Sequence, residues 1–182
     1  LEADLRLALE REEFHLCFQP IVDLETGFLV AAETLVRWDH PRGLAVGPAE
    51  FIGIAEEASL IGQLGQWVLT EACKRAAGWQ RQFSDLEPFA LTVNVSSREF
   101  MDPSFVDTMK SAYLSAGLPP ERLVIEITES SILVNTDATI KKLNEVRSLG
   151  VKLAVDDFGT GYSSLSYLNR FPMNILKIDR SF

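Results

Sequence analysis

Two adjacent carboxylates, Asp156 and Asp157, stand at the end of an apolar, alternating stretch that reads VKLAVDDFGTGY over Val151–Tyr162. Neighbouring side chains of a strand point to opposite faces. Both aspartates can serve one site only if the strand stops between them and the loop turns the second one inward. Gly159 and Gly161 supply the backbone freedom for such a turn. Like charges this close are costly unless a cation lies between them. The stretch therefore reads as part of a metal site at the carboxyl end of a strand, and other segments must supply the remaining ligands.

Those segments follow from periodicity. A short first helix is expected over Leu1–Arg11. Phe14–Val22 and Phe28–Trp38 are strands joined by a turn over 23–27, which makes them an antiparallel hairpin. Beyond a Pro/Gly-rich loop, helices are expected from Pro48 to about Ala58 and over Leu60–Phe83. A regular alternation then begins: strand Phe89–Val95, a helix opened by Asp102 and Pro103 and stopped by Gly117, and strand Arg122–Thr128. Helix Thr136–Leu149, strand Val151–Asp156, helix Ser163–Arg170 and strand Asn174–Ile178 complete it. Strand–helix alternation with a period of about 30 residues is the mark of a parallel α/β sheet or barrel.

Parity along these strands separates two faces. Large aliphatic residues, such as Leu91, Val93, Leu123, Ile125, Leu153, Val155, Leu176 and Ile178, share the face expected to pack on helices. The opposite face collects Glu33, Asn94, Glu126, Asp156 and Lys177, mostly near strand carboxyl ends, where barrel enzymes place their chemistry. A lone Glu or Asn near a strand end is usually a solvated loop residue; four oxygen donors of matching parity on separate strands are not explained that way. Carboxylate and amide oxygens suit Mg²⁺, Mn²⁺ or Ca²⁺.

With 182 residues, 47% of them hydrophobic, the chain can bury one substantial core. A net charge of −9 argues against binding to nucleic acid polymers through their backbones. Cys17 and Cys73 are too few and too far apart for a metal knuckle and sit in apolar-periodic segments, so both are expected as buried thiols. No run of about 18 apolar residues and no signal-peptide pattern is present, so a cytoplasmic location is expected, with attachment to a membrane-anchored protein left open. The chain starts at Leu1 and ends just after a strand-like run, and so reads as a piece of a longer polypeptide.

Several segments together resemble the EAL-domain family of cyclic-di-GMP phosphodiesterases. They are FQPIVDL at Phe18–Leu24, ETLVRW at Glu33–Trp38, NVS at Asn94–Ser96, EITES at Glu126–Ser130, DDFGTGYSSL at Asp156–Leu165 and LKIDRSF at Leu176–Phe182. The resemblance covers essentially the whole chain. It implies a modified TIM-type (β/α) barrel with an antiparallel first strand, and hydrolysis of cyclic-di-GMP to linear pGpG with a pair of Mg²⁺ or Mn²⁺ ions. By matching motif, Glu33, Asn94, Glu126 and Asp156 resemble ligands of one metal, with Asp156 bridging, and Asp157 resembles a ligand of the second. Lys177 resembles the residue beside the attacking water. Gln19, Leu35, Arg37 and Asp179 are carried over as substrate contacts, Arg37 at a phosphate, and Glu129 as the carboxylate that steadies the DDFGTGYSS loop. Leu35 is the first choice for a wall against a guanine base, with Phe51 and Pro48 weaker ones; Trp67 and Trp79 read as core.

Two departures from the family pattern stand out. The signature triplet is Glu33-Thr34-Leu35 rather than Glu-Ala-Leu, and by parity Thr34 faces away from Glu33, so the change is expected to leave the chemistry alone. Family members also continue past the KIDRSF region with the last barrel strands and a further metal-binding glutamate. On that ground residues 1–182 are expected to be a C-terminally incomplete EAL domain excised from a larger signalling protein with sensory or diguanylate-cyclase-like neighbours. Homodimerisation is implied by the resemblance. The alternative to an enzyme is a catalytically inactive cyclic-di-GMP receptor; such relatives lose metal ligands or the DDF segment, and this chain retains both.

Overall fold

The structure, a computed structural model, describes residues 1–85, 87–132, 136–159 and 170–181. The alternating segments form a six-stranded sheet in the order β1 (Phe14–Val22), β2 (Leu29–Trp38), β3 (Ala90–Asn94), β4 (Leu123–Thr128), β5 (Lys152–Phe158) and β6 (Ile175–Ile178). The β1–β2 pair is antiparallel and every later pair is parallel, as the short first turn and the long helical crossovers require. That turn is tied by Asp23 Oδ1, which accepts from the Thr26 N–H at 2.8 Å, and Gly27 takes the left-handed φ of 72° that closes it.

The helices are α1 (Glu2–Ala8), α2 (Pro48–Glu57), α3 (Ile61–Gln82), α4 (Ser97–Met101), α5 (Phe105–Ala116), α6 (Glu129–Ile132) and α7 (Thr136–Ser148). The apolar stripe of α3 buries Leu64, Val68, Ala72 and Ala76. The sheet's outer residues Leu91, Ile125, Ile127, Leu153 and Val155 are all but inaccessible. Burying each such side chain contributes about 1.5–3 kcal/mol. Gly117, at φ 71°, ends α5 as anticipated. Among the described residues no helix is long and apolar enough to cross a membrane.

Several expectations change. Helix α5 starts at Phe105, not at Asp102, because Asp102 Oδ1 accepts the Ser104 N–H at 2.8 Å and holds a turn there. A separate helix, α4, precedes it. Cys17 is exposed: on β1, an edge strand of the described sheet, it lies on the opposite side from Phe14, Leu16 and Phe18. Cys73 is buried, and burial pushes its thiol up to about 12. Phe51 cannot wall a ligand, since it is fully buried among the rings of Phe14 and Trp38. Trp79 packs edge-on against Phe18 with centroids 4.7 Å apart. The face of β6 that parity assigned to helix packing is partly exposed: Leu176 is 43% and Ile178 66% exposed on this edge strand of the described sheet. Gly161, Tyr162 and the helix expected over Ser163–Arg170 lie outside the described residues, Arg170 excepted.

Candidate metal centre

Strand register sets the site. Asn94 pairs with Glu126 across β3–β4, and Thr128 with Asp156 across β4–β5, so their carboxyl ends align. Glu33 on β2, Glu126 on β4 and Asp156 on β5 each bring a carboxylate oxygen within 4.8 Å of the others. Lys177 on β6 reaches all three. Its Nζ lies 2.7 Å from Glu126 Oε2, 3.0 Å from Asp156 Oδ2 and 3.4 Å from Glu33 Oε2. The Asn94 amide donates to Glu33 Oε1 at 3.1 Å, so the donor it has left for a cation is its carbonyl oxygen.

The electrostatics follow from this crowding. Burial raises the Glu126 pKa, and the Lys177 ammonium pulls against that rise. For Lys177, burial alone would depress the amine; hydrogen bonds and charge from Glu126, then Asp156, outweigh it and hold the amine above its ordinary value. Three carboxylates and one ammonium leave a formal charge of minus two within a few ångströms. A hard divalent cation balances that charge, and the donors are the oxygens such a cation prefers. The residues fit a metal of the Mg²⁺ or Mn²⁺ class.

Asp157 does not join this triad. The strand does not stop between the two aspartates; it runs on to Phe158, and Asp157 itself takes a left-handed φ of 53°. Aspartate tolerates that region better than most side chains. The β5–β6 register shifts between Val155 and Phe158, so the local device is an irregular strand rather than a strand end followed by a glycine turn. The Asp157 N–H donates to Asp156 Oδ1 at 2.9 Å. Partial burial, then the charges of Asp156 and Asp179, raise the Asp157 pKa, which places it electrically beside the triad.

The remaining residues fall around this centre. Glu129 starts α6 and is buried; its Oε2 accepts the Gly159 N–H at 3.0 Å, while Oε1 has no hydrogen-bond partner among the described residues. Gln19 is exposed on β1 directly opposite Glu33. Leu35 and Arg37 follow Glu33 along β2, both half-buried, and the Arg37 Nη1 donates to the Val36 carbonyl at 2.9 Å. Asp179 lies just past β6, its Oδ1 accepting the Ser181 N–H at 2.8 Å, a bond that with the Ser181 hydroxyl lowers its pKa. Thr34 is buried on the other face, with an unpartnered Oγ1.

One carboxyl escaped the sequence reading. Glu99 in α4 is 7% exposed, and burial pushes its pKa up to about 8. Its N–H donates to Ser96 Oγ at 3.2 Å, and the Ser96 backbone in turn favours the Glu99 carboxylate. This is a capping box, and the signal that would have found it is Ser96-x-x-Glu99.

Residues 2–182 match the EAL domain family. The chain is 41% identical over 179 residues to the bifunctional diguanylate cyclase/cyclic di-GMP phosphodiesterase MucR of Pseudomonas aeruginosa, covering 98% of this chain and 26% of MucR. It is 42% identical over 182 residues to the cyclic di-GMP phosphodiesterase NbdA of the same organism, covering 100% of this chain and 23% of NbdA. It superposes on the solved PaMucR phosphodiesterase in complex with c-di-GMP with a TM-score of 0.92 and 40% identity, over 98% of this chain and 72% of that one. The chain thus spans about a quarter of the length of these curated relatives. Its open sheet corresponds to part of a TIM-like barrel with a reversed first strand, and the chain belongs to the EAL domain family.

Proposed function

We propose that this chain forms the catalytic region of a phosphodiesterase that hydrolyses cyclic-di-GMP to linear pGpG with Mg²⁺ or Mn²⁺. The observation that carries the reading is the convergence of Glu33, Glu126 and Asp156, from three strands, on the ammonium of Lys177. Glu33, Asn94, Glu126 and Asp156 would hold one cation, and Asp157 would face a second. When bound, such cations make water acidic enough to attack near neutral pH and offset charge on the phosphoryl oxygens. Hydrolysis adds the water oxygen to phosphorus and breaks one P–O3′ bond, leaving a 5′-phosphate and a 3′-hydroxyl.

The chain's own residues position this reaction. Lys177, whose ammonium lies among the three carboxylates, would donate a hydrogen bond toward the attacking water. Arg37 offers a planar fork to a phosphate. Gln19, Leu35 and Asp179 contact the dinucleotide. Glu129 fixes the backbone after Asp156 and Asp157 through Gly159.

The reading extends to a domain completed by further chain, in a larger cytoplasmic signalling protein that homodimerises and carries sensory or cyclase-like neighbours. The share of MucR and NbdA that the chain covers supports the larger protein. The test is chromatographic detection of pGpG from cyclic-di-GMP by the full-length protein, with Mg²⁺ or Mn²⁺ and then with EDTA. Product that EDTA abolishes supports the reading. Binding of cyclic-di-GMP in EDTA with no turnover in either metal overturns it in favour of a receptor.

A further inference from the structure

We propose that Thr92 is a positioning residue of the metal centre, an inference that rests on the metal reading above. Its hydroxyl steadies the Glu126 carboxylate once a cation takes the place of the Lys177 ammonium. Thr92 itself touches neither cation nor substrate.

Strand parity puts the hydroxyl there. Thr92 stands two residues before Asn94 on β3, so the two share a face, and it pairs directly with Glu33 of β2. Asn94 pairs with Glu126, which leaves Thr92 one step deeper on the same face. The residue is 3% exposed, and its Oγ1 has no hydrogen-bond partner among the described residues. It nonetheless lies close enough to the Glu126 carboxylate to favour its charged form, without the alignment of a formed bond. The neighbouring donors are committed. The Asn94 amide donates to Glu33 Oε1, the Thr128 hydroxyl meets those of Ser130 and Ser131, and Lys177 is shared by three carboxylates.

Lys177 accounts for the idle hydroxyl. Its ammonium sits where Glu33, Glu126 and Asp156 converge, 2.7 Å from Glu126 Oε2, and is the counter-ion of the metal-free centre. An ammonium and a divalent cation repel each other and cannot both occupy that point. Loading the centre therefore takes its Lys177 hydrogen bond from Glu126, a residue only 2% exposed. Metal-ligating carboxylates are themselves hydrogen-bonded as a rule, and Thr92 is the buried donor already in place. In the metal-free protein the same hydroxyl is a burden, since valine has nearly its shape and no polar atom to leave unpaired.

Two substitutions in the full-length protein separate this role from packing. Thr92→Val removes the hydroxyl and keeps the bulk; Thr92→Ser keeps the hydroxyl and removes a methyl group. In Mn²⁺ titration calorimetry, Thr92→Val should weaken binding about tenfold, while Thr92→Ser stays within about twofold of the parent. Melting in EDTA should give the reverse order, with Thr92→Val at or above the parent Tm and Thr92→Ser below it. A threonine that only packs would make Thr92→Ser the worse variant in both measurements. Affinity of Thr92→Val within about twofold of the parent, or an equal loss in Thr92→Ser, would overturn the inference. Asp156→Asn identifies the centre's own titration as the Mn²⁺ binding that it removes. Parent binding that Asp156→Asn leaves unchanged would instead overturn the metal reading, a result distinct from either Thr92 outcome.

Discussion

Lys177 Nζ and Glu126 Oε2 meet at 2.7 Å, with the glutamate side chain 1% exposed and the lysine 24%. The pair couples the last strand to the centre of the sheet. Without Lys177, Glu126 would be a buried carboxylate beside Glu33 and Asp156 that has lost its ammonium partner.

Lys177→Met should therefore destabilise the metal-free protein by about 3 kcal/mol, the order seen when one partner of a buried ion pair is removed. Urea unfolding in EDTA measures this. Adding Mg²⁺ should recover part of the loss, because the three carboxylates then regain a cation. A loss below about 0.5 kcal/mol would mean that the pair is effectively solvated.

Glu99 makes stability depend on pH with a definite sign. Its pKa is raised on folding from 4.5 to about 8, so the folded state holds a proton that the unfolded chain releases. Its contribution is fully present below pH 4.5 and declines as pH rises to about 8. The slope is about 1.4 kcal/mol per pH unit at most. Glu99→Gln keeps the capping box and removes the titration. Its Tm should exceed that of the parent at pH 8 and match it at pH 4; parallel melting profiles across that range would contradict the assignment.

Glu129→Ala should weaken metal binding without touching a ligand. It deletes the acceptor of the Gly159 N–H and loosens the backbone that follows Asp156 and Asp157. Outer partners of metal ligands are typically worth 10- to 100-fold in affinity, so a loss of at least about tenfold in Mn²⁺ titration calorimetry is expected. Unchanged affinity would remove Glu129 from the site.

Thr34→Val should stabilise the fold. The Thr34 hydroxyl is buried with no partner, and its replacement by a methyl group relieves a desolvated polar atom, a gain of about 1 kcal/mol. Chemical denaturation reads the change. A loss of stability would show that a bound water satisfies the hydroxyl.

Much of this was legible in the residues. The bounds of β1 follow from its apolar run, and strand parity alone groups Glu33, Asn94, Glu126, Asp156 and Lys177, because a period of two admits no other partition. What failed depends on partners distant in sequence. Cys17 alternates like a buried residue, yet its exposure is decided by what covers an edge strand. Helix α4 is too short for any periodicity, so no pattern marks Glu99 as buried. The turn of backbone between the two aspartates was assigned to the glycines after them, whereas the register of β6 against β5 places it on Asp157 itself.

That left-handed Asp157 separates two kinds of fitness. Glycine adopts a φ of 53° more readily than any L residue, by about 1 kcal/mol, so folding alone favours Asp157→Gly. Thermal selection on a randomised codon 157 would drift toward glycine, whereas selection for turnover would hold aspartate. The divergence of those two populations measures how much conformational stress this carboxylate's chemistry is worth to the protein.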